Sequence, residues 1–228
     1  MCTSALAGEF DHPWNDRNVP LIIDPYYDNP IDWERLSHEP RVVAIIHKST
    51  IGTSSVDPKY FERKREAKSR GYLWGSYHWG TADDPVKQAD YYLATIKPEA
   101  DELIALDLED ASSTTLMTAR DAPLFIARVK ERTGRFPILY TNHSSAELIS
   151  TDFRHSVFAS TPLWYARFKG TVNNFPAGLW DTYTLWQFSS ELNRQFAIPG
   201  THSDMNVNVY NGSIEELKRR WPLTMEVR

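Results

Sequence analysis

The sequence predicts an α/β fold, a TIM-like barrel in which five β/α units are followed by three strands with little helix between them. Three observations predict it. Short apolar runs alternate with amphipathic segments in the rhythm of βαβ units. The runs Leu21-Ile22-Ile23, Val42-Val43-Ala44-Ile45-Ile46 and Leu103-Ile104-Ala105-Leu106 are continuous rather than alternating, as in parallel strands covered on both faces. The length of 228 residues suits one such barrel, which commonly takes about 200 to 250 residues.

In chain order, residues 1–18 read as an N-terminal extension and 19–228 as a single domain. The first five strands are expected at 19–26, 42–49, 72–79, 103–109 and 136–141. Asp57-Pro58 supplies a cap and a first-turn proline for a helix that Gly71 closes. Asp84-Pro85 opens another, with Val86, Ala89, Leu93 and Ile96 along one stripe. Ala122, Phe125, Ile126 and Val129 keep helical spacing in a third, ended by Gly134. Beyond about residue 150 the rhythm changes, and strands at 163–168, 183–189 and 205–210 follow without a convincing long helix. Ser213 with Glu216 is a capping box for a last helix ending near Trp221. No internal repeat, low-complexity tract or linker divides the chain.

Composition narrows the function classes. The net charge is −5 and the longest basic run is Lys218-Arg219-Arg220 on the last helix, so the electrostatic footprint of a nucleic-acid binder is missing. No stretch approaches the roughly 18 apolar residues of a membrane span. Residues 1–18 lack the charged and apolar regions of a signal peptide. The lone Cys2 leaves no internal disulfide. The 7 His are scattered with no His-x-x-x-His pair, so neither a metal site nor another cofactor is expected. No Gly-x-Ser-x-Gly elbow or phosphate loop appears. The 8 Trp and 11 Tyr either fill a core or line a groove that stacks flat, amphipathic ligands such as sugars.

The most informative segment is Leu103-Ile104-Ala105-Leu106-Asp107-Leu108-Glu109-Asp110. Side chains alternate along a strand, so Asp107 and Glu109 share one face, with Cα atoms roughly 6.6 Å apart. Two carboxylates so close repel, and the second ionises only at raised pKa. Glycoside cleavage needs this arrangement, a proton donor beside a fixed negative group. An Asp-x-Glu pair can equally end a strand in solvent. The apolar run before this one puts it instead at the C-terminal rim of a barrel strand, where such folds hold catalytic groups. Asp24, Lys48, Tyr77-His78-Trp79 and Tyr140 end other strands on the same rim. Each has a bland reading as cap, solvated lysine or packed ring; their convergence is what a sugar site requires.

The chain resembles glycoside hydrolase family 25, the muramidases also called Chalaropsis-type lysozymes, from about Leu21 to Gly212. The resemblance rests on Ile23-Asp24, Ile31-Asp32-Trp33, His47-Lys48-Ser49-Thr50, Asp57-Pro58, and the stretch from Gly71-Tyr72 to Tyr77-His78-Trp79. It continues through Gln88-Ala89, Leu106-Asp107-Leu108-Glu109, Gly134 to Tyr140, Pro162 to Arg167, Leu185-Trp186-Gln187-Phe188, Asp204-Met205-Asn206 and Asn211-Gly212. Each piece is weak alone; all of them in order are specific.

The resemblance implies a modified barrel, a catalytic domain that hydrolyses the β-1,4 bond from N-acetylmuramic acid to N-acetylglucosamine in peptidoglycan glycan strands. It implies Glu109 as general acid/base and Asp107 as the carboxylate that orients the substrate's acetamido group. Asp24 and Asp204 fall on further acidic positions; Asp204 reaches the rim only if its strand runs antiparallel to the first five. Tyr77, Tyr140, Trp164 and Gln187 fall on groove positions, beside Lys48 and Trp79. Action at the bacterial cell wall as a monomer is the matching expectation. Three departures stand out: Ile51 where an acidic or amide residue is usual, Pro25-Tyr26-Tyr27 after Asp24, and Trp79 where Phe is commoner. The alternatives are a glycan-binding barrel without turnover, and a chitin-cleaving variant. A chitinase-type strand would carry an acid two positions before Asp107, where Ala105 stands.

Overall fold

A computed structural model describes residues 10–176 and 178–224. Cys2 and the first half of the stretch read for a leader lie outside the described residues.

Eight strands close a barrel: β1 (Leu21–Ile23), β2 (Val42–Ile51), β3 (Leu73–Trp79), β4 (Leu103–Leu108), β5 (Ile138–Asn142), β6 (Leu163–Ala166), β7 (Leu185–Ser189) and β8 (Val207–Tyr210). Neighbours from β1 to β7 pair in parallel. Strand β8 runs antiparallel to both β7 and β1 and seals the ring. Its antiparallel course brings the residues just before it to the rim where the other strands end.

Strand alternation sorts the core into two shells. Ile22, Ala44, Ile46, Leu103, Ala105, Ile138, Ala166 and Leu185 point inward, with Leu217 and Leu223 packed among them. Leu21, Ile23, Ile45, Ile104, Leu106 and Leu139 point outward under the helices. A barrel this narrow needs small residues inside to make room for large ones. Gly75 meets that need in its strictest form, because a Cβ there would come 2.9 Å from Leu103 Cβ.

The helices follow the first five strands: α1 (Trp33–Leu36), α2 (Tyr60–Ser69), α3 (Pro85–Ile96), α4 (Ala122–Thr133) and α5 (His143–Asp152), with α6 (Ile214–Arg220) after β8. Asp84 caps α3 by accepting from Val86 and Lys87 N–H, Asn142 caps α5 through Ser145, and Ser213 caps α6 through Glu216. Gly134 closes α4 at φ +73°, a left-handed conformation that glycine adopts without strain. Two expectations need correcting. Helix α2 begins at Tyr60, because the Asp57 carboxylate is spent on Tyr27 N–H and Lys59 N–H, both at 2.9 Å. Val86 is solvent-facing, since it sits in the first turn beyond the barrel edge; the buried stripe of α3 is Ala89, Tyr92, Leu93 and Ile96.

From Phe10 the N-terminal segment is built onto the wall. Phe10–Asp11 pairs with Thr171–Val172. Trp14 is buried and stacks on Phe188 with centroids 3.8 Å apart. Arg41 donates to the Trp14 carbonyl at 2.8 Å. Among the described residues no helix is long and apolar enough to cross a membrane.

Candidate active site

Inward-facing positions at the C-terminal ends of the strands turn from apolar to polar, and there they enclose a cavity of about 350 Å³. Asp24 follows β1, Lys48 ends the inner row of β2, and Tyr77 and Trp79 that of β3; Asp107 lies on β4 and Glu109 just past its end, since the strand expected to reach residue 109 stops at Leu108. Tyr140, Trp164 and Gln187 close the far side from β5, β6 and β7. Register sets Asp107 between Trp79 and Tyr140. Nine of the ten residues expected from the sequence thus line one cavity. Asp204, the tenth, lies near Tyr26 but outside that lining; one of its oxygens is buried without a partner among the described residues.

Tyr26, Glu191 and Asn206 also line the cavity and were not anticipated. Asn206 had a readable signal: it stands just ahead of β8 and two residues before Asn208, so alternation turns both amides inward. Tyr26 and Glu191 sit on connecting loops, where no periodicity marks them. The three departures from the family's pattern meet on one wall. Lys48 Nζ lies 4.2 Å above the Trp79 ring and 4.7 Å above that of Tyr26, while Ile51 pairs with Trp79 in register.

The acids sit in a graded field. Asp107 is 5% exposed, and burial first, then Glu109, pushes its carboxyl well above the usual range, with Lys48 pulling the other way. Burial also raises Glu109; Lys48 lowers it and Glu191 raises it. No protein group described here donates to Asp107 Oδ1, although it is buried. Asp24 is different. It accepts from Asn208 at 2.6 Å, Gln187 at 2.8 Å and Asn206 at 3.1 Å. Even so, burial carries it to about 7 against the pull of those three donors. Lys48 is lowered by burial, which the carboxylates Asp107, Asp57, Glu109 and Asp24 counter.

The remaining polar groups are locked. Tyr140 OH donates to Gln187 Oε1 at 2.8 Å, which turns the Gln187 amide so that its NH2 meets Asp24. Trp164 Nε1 donates to Asn208 Oδ1 at 2.6 Å, orienting that amide likewise. The segment after Leu108 is tied by Asn142 Nδ2 to the Glu109 carbonyl at 2.5 Å and by Thr141 to the Leu108 carbonyl. Gly80 N–H holds the Asp107 carbonyl at 3.1 Å.

Such a site, with two raised carboxyls at the end of one strand, aromatic walls and preset amides at the C-terminal rim of a barrel, defines a glycoside hydrolase. The chain belongs to the glycosyl hydrolases family 25, whose pattern matches residues 23–195, and is an enzyme of the lysozyme type. It is 30% identical over 193 residues to the N,O-diacetylmuramidase of Chalaropsis sp, covering 77% of this chain and 86% of that protein. It is 25% identical over 218 residues to Lysozyme M1 of Streptomyces globisporus, covering 90% and 72%. In fold it matches the Streptomyces coelicolor lysozyme with a TM-score of 0.74 at 24% identity, over 89% of this chain and 96% of that one. The Bacillus anthracis family 25 glycosyl hydrolase gives 0.73 at 18% identity, over 92% and 97%.

Proposed function

We propose that this protein acts at the bacterial cell wall on peptidoglycan, cutting the β-1,4 bond from N-acetylmuramic acid to N-acetylglucosamine with net retention. The glycan lies across the barrel mouth against Trp79, Tyr77 and Trp164. Protonated Glu109 donates to the glycosidic oxygen as the substrate's own acetamido oxygen attacks the anomeric carbon. Asp107 accepts the acetamido N–H and stabilises the positive charge that develops on it. Glu109, now a carboxylate, takes a proton from water, and that water opens the cyclic intermediate from the face the leaving sugar vacated. Substrate assistance is a recognised variant of two-carboxylate glycoside hydrolysis.

The observation that carries this reading is the difference between the acids. Asp24 is saturated with protein donors, whereas Asp107 Oδ1 is buried with none among the described residues. A buried acceptor without a donor is costly, and a substrate N–H removes that cost only when bound. The test is the anomer formed in the first minutes of cleavage of a soluble glycan, read by NMR. Retention gives the β anomer; an initial α anomer would rule out acetamido assistance.

A further inference from the structure

We infer that Asn142 is a positioning residue for Glu109, holding the backbone that carries the acid at a point where no strand holds it; this rests on the hydrolase reading above. Strand β4 ends at Leu108, one residue short of Glu109. Its ladder to β5 ends with Leu108 opposite Thr141, and its ladder to β3 with Asp107 opposite Trp79. Side chains take over from there. Thr141 Oγ1 donates to the Leu108 carbonyl at 2.8 Å, and Asn142 Nδ2 donates to the Glu109 carbonyl at 2.5 Å. Ser145 Oγ then accepts from Ala111 N–H at 3.0 Å. These three side chains come from the end of β5 and the first turn of α5, so they follow the departing segment step for step.

Within this row, Asn142 is the side chain that meets the peptide group of Glu109 itself. Its Oδ1 accepts from Ser145 N–H at 2.9 Å and caps α5. The two contacts fix the same amide orientation independently, since an N–H needs the oxygen and a carbonyl needs the NH2. Capping alone does not call for Asn, because Ser or Asp caps a helix as well. What Asn adds is a donor, and that donor goes to the catalytic segment. Asp110 and Ser112, on either side of Ala111, are exposed, so side-chain packing gives the segment little other anchorage. Position matters here because proton transfer requires the acid within hydrogen-bond reach of the leaving oxygen. A misplacement of about 1 Å can cost about a hundredfold in rate.

The experiment places Asn142→Ser in the wild type and in Glu109→Gln and follows turnover of purified peptidoglycan. Serine keeps a capping oxygen and adds no charge, but it stops one atom short of the Nδ2 position. In the wild-type background kcat is expected to fall about ten- to hundredfold, with KM held within about twofold. In the Glu109→Gln background the same change is expected to cost less than about twofold, because no acid remains to be misplaced. Asn142→Ala, which also loses the cap, is expected to match the serine variant in kcat and to melt at a lower temperature. An unchanged kcat in Asn142→Ser overturns the inference. So does an equal loss in both backgrounds, which would make Asn142 a support for the site as a whole. Wild-type turnover in Glu109→Gln itself takes down the acid/base reading, and the inference with it.

Discussion

Asn208 Nδ2 donates to Asp24 Oδ1 at 2.6 Å, joining the first and last strands of the barrel across its catalytic rim. The same NH2 reaches the Ile22 carbonyl at 3.0 Å, and the amide oxygen accepts from Trp164. One fully buried side chain thus satisfies three groups.

Asn208→Leu therefore leaves a carboxyl, a carbonyl and an indole N–H short of a partner. The expected loss is about 2–4 kcal/mol of stability, read from urea denaturation. Asp24 also loses its strongest donor, so its pKa rises above the present value of about 7. A loss within about 0.5 kcal/mol, the range of neutral surface changes, would contradict this account of the rim.

Glu109→Gln keeps shape and removes the proposed proton donor. Turnover of purified peptidoglycan is expected to fall by about 10²- to 10⁴-fold while the melting temperature holds. Near-wild-type turnover would remove Glu109 from the acid/base role. Asp107→Asn is expected to be severely impaired on N-acetylated glycan, and an unimpaired rate would count against acetamido assistance.

Lys48 governs the pH profile. The proposed mechanism needs Glu109 protonated at the start, so activity is expected to fall as pH rises through the Glu109 pKa, which burial and Glu191 raise and Lys48 lowers. Removing the cation in Lys48→Met raises both Glu109 and Asp107, and both limbs of kcat/KM against pH move to higher pH. Downward movement of the alkaline limb would show that some other group sets it.

Arg63→Met strips three loop carbonyls and His47 of their donor. A cost of about 2–4 kcal/mol is expected, together with weakened substrate binding because Tyr26 loses its fixed backbone. Chemical denaturation and KM check the two halves separately.

The strands were legible because continuous apolar runs admit few other readings, and so was the convergence of Asp107 and Glu109 on one cavity, although Glu109 falls one residue past the end of its strand. Local capping was less so. Asp57 looks like a helix cap, yet its oxygens are claimed by Tyr27, 30 positions away, and by Lys59. Helix α1 is four residues long, too short to set up a periodicity. Tyr26 and Glu191 enter the site from loops whose course is fixed by tertiary contacts such as those of Arg63. Asp204 was singled out as an acid near β8, and it shares the parity of Asn206 and Asn208, but it stands in a turn ahead of the strand, where alternation no longer sets direction, and it is Asn206 that lines the cavity.

The central claim, that this cleft cuts a muramyl bond, is tested most directly by the ends it creates. Purified peptidoglycan would be digested, reduced with borodeuteride and resolved by mass spectrometry. New ends carried as deuterated N-acetylmuramitol, absent from the Glu109→Gln digest, are the predicted result. New ends carried as N-acetylglucosaminitol, or no new ends at all, would contradict it.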